Sequence, residues 1–118
     1  KTFNDLSSVV KQGGFLVVEI DLRTHTSWIR DKDPLNIYRY NEFFWKLFKF
    51  KGSPNRVRAF EYNDLLERND WCNIRIEEES VLGQKYLEKV HFSLNEKFKN
   101  MDSREMKLLS IMLMAMRK

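Results

Sequence analysis

Apolar positions along the chain follow two rhythms, one with a period of two and one with steps of three and four. The clearest instance of the first lies between Phe15 and Leu22, where Leu16, Val18, Ile20 and Leu22 alternate with Val17, Glu19, Asp21 and Arg23. That alternation, in residues rich in β-formers, predicts a half-buried strand. Ahead of it, Thr2 and Asp5 form a capping-box-like start. Phe3, Leu6, Val9 and Val10 then recur at helical spacing until Gly13-Gly14, which predicts a short N-terminal helix. Thr24 to Arg30 is again β-prone and is expected to prolong the strand or return as a hairpin, before Asp31-Lys32-Asp33-Pro34 makes a turn.

Asn41 can cap a middle helix running to about Phe50, with Phe44, Leu47 and Phe48 on one face and Gly52 beyond its end. Ser53-Pro54-Asn55 is a turn. The alternation of Arg56-Val57-Arg58-Ala59-Phe60-Glu61-Tyr62 suggests a strand with an exposed basic face, followed by one helical turn over Asn63 to Arg68. Trp71 to Glu77 sets Cys72, Ile74 and Ile76 against Asn73, Arg75 and Glu77, and reads as the last strand.

The final third returns to helical spacing. Ser80 is expected to cap a helix reaching Lys99, its stripe made of Tyr86, Leu87, Val90, His91, Leu94 and Phe98. Asp102 and Glu105 repeat the capping-box pattern ahead of an almost wholly apolar run from Met106 to Met116, which suggests a second C-terminal helix. The sum is an α+β fold: a small antiparallel or mixed sheet of three to four strands, packed by an N-terminal helix, a middle helix and two C-terminal helices. With 118 residues, 42% hydrophobic and 14% aromatic, one domain spans residues 1–118 and intrinsic disorder is excluded for most of it. The first residue is Lys1 rather than Met, as in one domain of a longer protein. No run approaches the length of a membrane span. One cysteine, Cys72, cannot form an internal disulfide, which points to a reduced intracellular setting, cytoplasm or nucleus.

Charge sharpens the picture locally. The formal net charge is +4, and the whole excess lies between Tyr38 and Tyr62, where six basic residues face only Glu42 and Glu61. The same stretch holds Tyr40, Phe43, Phe44, Trp45, Phe48, Phe50 and Phe60. Cations for phosphates and flat side chains for unpaired bases are what a nucleic-acid surface needs. Lys46, Lys49, Lys51, Arg56 and Arg58, with Trp45 and Tyr62, are therefore the candidate nucleic-acid-binding residues of a non-catalytic module. An alternative is a protein-interaction or dimerisation module working through the methionine-rich C-terminal segment, with Met112, Met114 and Met116 as contacts.

A second alternative rests on His25-Thr26-Ser27 and His91-Phe92-Ser93. These two His-x-Ser triplets resemble those of the 2H phosphoesterases, enzymes that cleave cyclic or 2′,5′-type phosphodiesters. The resemblance implies His25 and His91 as paired acid and base, with Ser27 and Ser93 holding phosphate oxygens. Such work requires the histidine and its hydroxyl to face one cleft. Residues two apart do so on a strand, but on a helix they point about 200° apart. No zinc site is expected, because His25, Cys72 and His91 lack paired ligand spacing, and no cofactor motif is present.

Overall fold

The computed structural model describes residues 2–118. Helix α1 (Thr2–Val9) leads into strand β1 (Phe15–Asp21) through Gly13 and Gly14. Gly13 has φ of 77°, in the left-handed region, and a Cβ on Gly14 would lie 2.6 Å from the Val10 side chain. Any larger residue at this tight reversal would force the two elements apart. After β1 the chain leaves the sheet through α2 (Ser27–Arg30), a 3-10 turn (Asn36–Tyr38) and α3 (Glu42–Phe48), then enters α4 (Ala59–Glu67) and β2 (Trp71–Val81). Three short helices follow, α5 (Gln84–His91), α6 (Glu96–Lys99) and α7 (Ser103–Lys107), before β3 (Leu108–Arg117). The result is a small α+β fold.

The three strands pair in the order β1-β3-β2, all antiparallel. Ile20, Val18 and Leu16 of β1 sit opposite Ile111, Leu113 and Ala115 of β3. That row faces α1 and α4 and forms one core with Leu22, Ala59, Tyr62, Leu66 and Trp71. The opposite row, Phe15, Val17 and Glu19 against Met116, Met114 and Met112, is the outer face of the sheet. A second core gathers the 3-10 turn and α5 to α7 around Leu35, Tyr38, Leu87 and Phe98.

Arg58 stitches the two cores together. Its guanidinium donates to Tyr38 Oη at 3.0 Å, to the Leu108 carbonyl at 2.8 Å and to the Glu105 carbonyl. Tyr38 Oη in turn donates to the Leu22 carbonyl at 2.6 Å. Among the described residues no carboxylate bonds this guanidinium, so its charge is met by carbonyl dipoles at the end of α7 and by the face of the Tyr38 ring, 5.0 Å away.

Four local expectations change. Residues 56–62 do not form a strand: the chain turns helical at Ala59 because Ala59, Tyr62 and Leu66 fall at three- and four-residue steps and bury together. Glu61 Oε2 accepts from the Arg58 N–H at 2.9 Å and fixes the start of that helix. Thr24 to Arg30 neither prolongs β1 nor forms a hairpin. The Thr24 N–H donates to the Pro34 carbonyl and its hydroxyl accepts from the Ile37 N–H, closing a loop instead.

Ser80 stays in β2, opposite Ser110, and the expected long helix is two helices. The Ser93 hydroxyl donates to the Val90 carbonyl at 2.6 Å, and Asn95 then caps α6. Finally, the expected second C-terminal helix lasts five residues, and Leu108 onward is the central strand of the sheet, not its neighbour. A segment hydrogen-bonded on both sides, with apolar contacts on both faces, needs no polar stripe.

Candidate functional site

Beyond the carboxyl end of β1, three segments that lie outside the sheet converge on a cleft of about 620 Å³. Thr24 to Ile29 forms one side, the 3-10 turn with Tyr40 the floor, and α3 with the loop to Pro54 the other side. Local sequence explains α3: Asn41 Oδ1 accepts from the Phe44 N–H at 2.9 Å, and Gly52, with φ of 98°, turns the chain back after it. The helix is seven residues long and buries none of them.

That last fact is unusual chemically. Phe43, Phe44, Leu47, Phe48 and Phe50 are all exposed, Phe48 by 73%, within eight residues. Phe44, Trp45, Phe48 and Phe50 line the cleft with Tyr40 and Ile37. The Phe44 and Phe48 rings are nearly parallel, at 8°, with centroids 6.4 Å apart. Polar groups are fewer, chiefly His25, Thr26, Asn36 and Ser53. An apolar aromatic wall with a few hydrogen-bonding groups is the usual make-up of a small-ligand pocket, and the volume lies within the range such pockets show.

The residues singled out from sequence divide sharply. Lys46, Lys49 and Lys51 are exposed, and none of the ion pairs among the described residues includes them. Trp45 is half-buried in the cleft wall. Arg56, Arg58 and Tyr62 are buried, so they present nothing to a phosphate or a base. Tyr62 packs edge-on against Phe3 and donates to Asn55 Oδ1 at 3.3 Å.

Arg56 works behind the cleft. It donates to the carbonyls of Ile37 and Tyr40, pairs with Glu42, and lies 5.0 Å from the Trp45 ring and 5.1 Å from that of Phe98. Three of these partners, Ile37, Tyr40 and Trp45, line the cleft, so Arg56 holds its floor and wall together from inside. Compared with protein-family models, curated proteins and solved structures, the chain gives no match.

The two His-x-Ser triplets separate. His25 lines the cleft. His91 does not: it ends α5, with Nε2 3.0 Å from the Lys99 carbonyl, and Ser93 is engaged by Val90 and Arg39. Met112, Met114 and Met116 lie together on one face, as a contact surface would require, but on the outer face of β3 rather than on a helix.

Next to the cleft, Asp33 anchors the turn to α5. It accepts from Arg39 Nε at 2.8 Å, from Tyr86 Oη at 2.6 Å and from Asn36 at 3.3 Å. Burial works against the Asp33 charge, yet these donors outweigh it and hold the carboxyl below its ordinary value. Tyr86 is pushed up to about 12 by burial and by its bond to Asp33. The aromatics of this stretch are evident in the sequence, but not that Tyr40, Phe44, Phe48 and Phe50 form one wall with His25 and Ile37. The signal available was the density of Phe on a helix too short to bury them.

Proposed function

We propose that this is a binding module whose working surface is the aromatic cleft, and whose ligand is a flat, largely apolar small molecule. The observation that carries this reading is the cleft wall itself: parallel Phe44 and Phe48 rings beside Trp45 and Tyr40. A soluble surface that leaves so much aromatic area facing water without a use is disfavoured. Arg56 supports the reading, because a buried cation bonded to the floor and stacked on the wall keeps the cleft formed before a ligand arrives. His25, Thr26 and Asn36 can orient a ligand by hydrogen bonds.

A second reading is favoured by Lys46, Lys49 and Lys51, which stand exposed on the same segment. In it, bases of a single-stranded nucleic acid stack on the cleft aromatics while these lysines meet phosphates. Calorimetric titration with an anilinonaphthalene sulfonate dye and with a labelled single-stranded oligonucleotide separates the two. Each lost aromatic contact is worth about 0.5–1.5 kcal/mol, so Phe44→Ala/Phe48→Ala should weaken dye binding about fivefold or more. The dye carries a single sulfonate, so its binding should weaken with salt far less than that of an oligonucleotide. Oligonucleotide affinity would instead fall with a log–log slope of roughly −2 for three phosphates on a single strand. Dye binding that is indifferent to the double substitution, with the fold intact, removes the cleft from consideration.

A further inference from the structure

The cleft accounts for one side of α3 only. Trp45 marks the inner side of that helix: it is half-buried, packs against the second core and lies under the Arg56 guanidinium at 5.0 Å. Phe43 and Leu47 stand two residues to either side of it, and at about 100° per residue they fall roughly opposite Trp45 on the helix. They are 70% and 63% exposed, and neither lines the cleft. An ordinary surface helix shows charged or polar residues on its outward face. Here the outward face is apolar, and Phe48 and Phe50, also largely exposed, continue it from the lip of the cleft.

The free charges around this face have one sign. Lys46, Lys49 and Lys51 are exposed and enter none of the ion pairs among the described residues. From Asn41 to Asn55 the chain holds a single acid, Glu42, and the buried Arg56 engages it. What α3 and its following loop offer to solvent is therefore three cations interleaved with Phe43, Leu47, Phe48 and Phe50. Lysine stems are long enough to lie along such apolar surface while the ammonium stays in water. With seven residues α3 is far too short to cross a bilayer, and among the described residues no helix is long and apolar enough to do so.

We infer that α3 and the loop to Pro54 dock this protein on the surface of an anionic lipid bilayer, with Phe43 and Leu47 entering the acyl boundary and the lysines meeting phosphate and carboxylate headgroups. Charge and apolarity together select this occupant. Lysines are drawn to an anionic leaflet, and a convex apolar face that sinks into the headgroup region escapes water without a groove of matching shape. A nucleic acid would satisfy the lysines alone, because Leu47 has no ring to stack on a base and lies outside the aromatic cleft. This surface is separate from the cleft and does not depend on what the cleft binds.

Co-sedimentation with vesicles of phosphatidylcholine alone, and of phosphatidylcholine mixed with phosphatidylserine, tests the inference. The wild type should pellet with the mixed vesicles and far more weakly with the neutral ones. Lys46→Gln/Lys49→Gln/Lys51→Gln should lose about fivefold in partitioning for each lysine, roughly a hundredfold in all. Phe43→Ser/Leu47→Ser should lose about tenfold or more. Circular dichroism should be unchanged in both variants, since every substituted side chain is exposed, and without vesicles the Phe43→Ser/Leu47→Ser variant should bind the naphthalene dye as the wild type does. A wild type that pellets with neither vesicle, or equally with both, overturns the inference. So does binding that the lysine variant loses and the Phe43→Ser/Leu47→Ser variant keeps, which would leave a purely electrostatic attraction and return the lysines to a nucleic acid. Binding that survives both variants places the contact elsewhere and rejects α3 as the docking element.

Discussion

Replacing Arg58 with methionine keeps much of its volume and removes its charge. The guanidinium is fully buried and donates to Tyr38 Oη and to the carbonyls of Glu105 and Leu108, joining the two cores. Hydrogen bonds from a charged group contribute about 1.5–3 kcal/mol each, and a carbonyl left unpaired in the interior costs about 1–3 kcal/mol. Against this, the wild-type cation carries a desolvation penalty of several kcal/mol, without a carboxylate to offset it and with Nε unbonded. The balance favours wild type by roughly 2–4 kcal/mol, and by more for Arg58→Ala, which also opens a cavity. Urea unfolding would show this as a lower midpoint at nearly constant slope, and thermal unfolding as a fall of roughly 10 °C. Lys46→Ala, on the exposed face of α3, is the control and should stay within about 0.5 kcal/mol. If Arg58→Met matched that control, the seam between the cores would be held by something other than this residue. Because both side chains are buried, Arg56→Ala/Arg58→Ala should likewise change folding stability and not a basic surface.

Strand β3 makes a sharp distinction between adjacent residues. Leu113→Ala should cost about 2–5 kcal/mol, because it empties a fully buried site, whereas Met114→Ser on the outer face should cost under about 1.5 kcal/mol, both by denaturant midpoint. Equal costs would contradict the alternation. The Asp33 cluster fixes two pH limits. A carboxyl held below its ordinary value contributes stability that is present above the unfolded pKa and lost as pH falls through the folded one, so acid unfolding of Asp33→Asn should begin from a lower plateau and show a shallower loss. Tyr86, raised to about 12, contributes stability present below 10 and lost as pH rises toward 12, and in Asp33→Asn its tyrosinate absorbance should appear at lower pH. An unmoved Tyr86 titration would mean that Asp33 does not hold that hydroxyl.

The parts of the fold legible in the sequence were those with a pure rhythm. β1 alternates cleanly from Leu16 to Leu22, and Asn41 and Gly52 bracket α3 by cap chemistry alone. Asp102 gave a true start for α7, but nothing local said that the helix would stop at Lys107. A continuous apolar run has no period to read, and Met, Leu and Ala favour helix, so only pairing with β1 and β2 on either side makes Leu108–Arg117 a strand. Arg56 and Arg58 misled for a different reason. Their positive charge suggested solvent, whereas carbonyls and aromatic faces supplied by distant segments let them be buried. For the candidate site, the aromatic stretch was visible but not its shape, since the cleft needs Thr24 to Ile29 folded back against α3.

Three tryptophans make the central claim directly measurable, because they sample three environments. Trp45 lines the cleft, Trp28 is exposed on α2, and Trp71 is buried with its indole N–H 3.4 Å from the Phe3 carbonyl. In a nitrogen-15 correlation spectrum their indole signals can be followed during titration with the naphthalene dye. If the cleft is the working surface, the Trp45 signal shifts and saturates while that of Trp71 stays in place. A stationary Trp45 signal while the dye binds, or a uniform drift of all three signals, would contradict it.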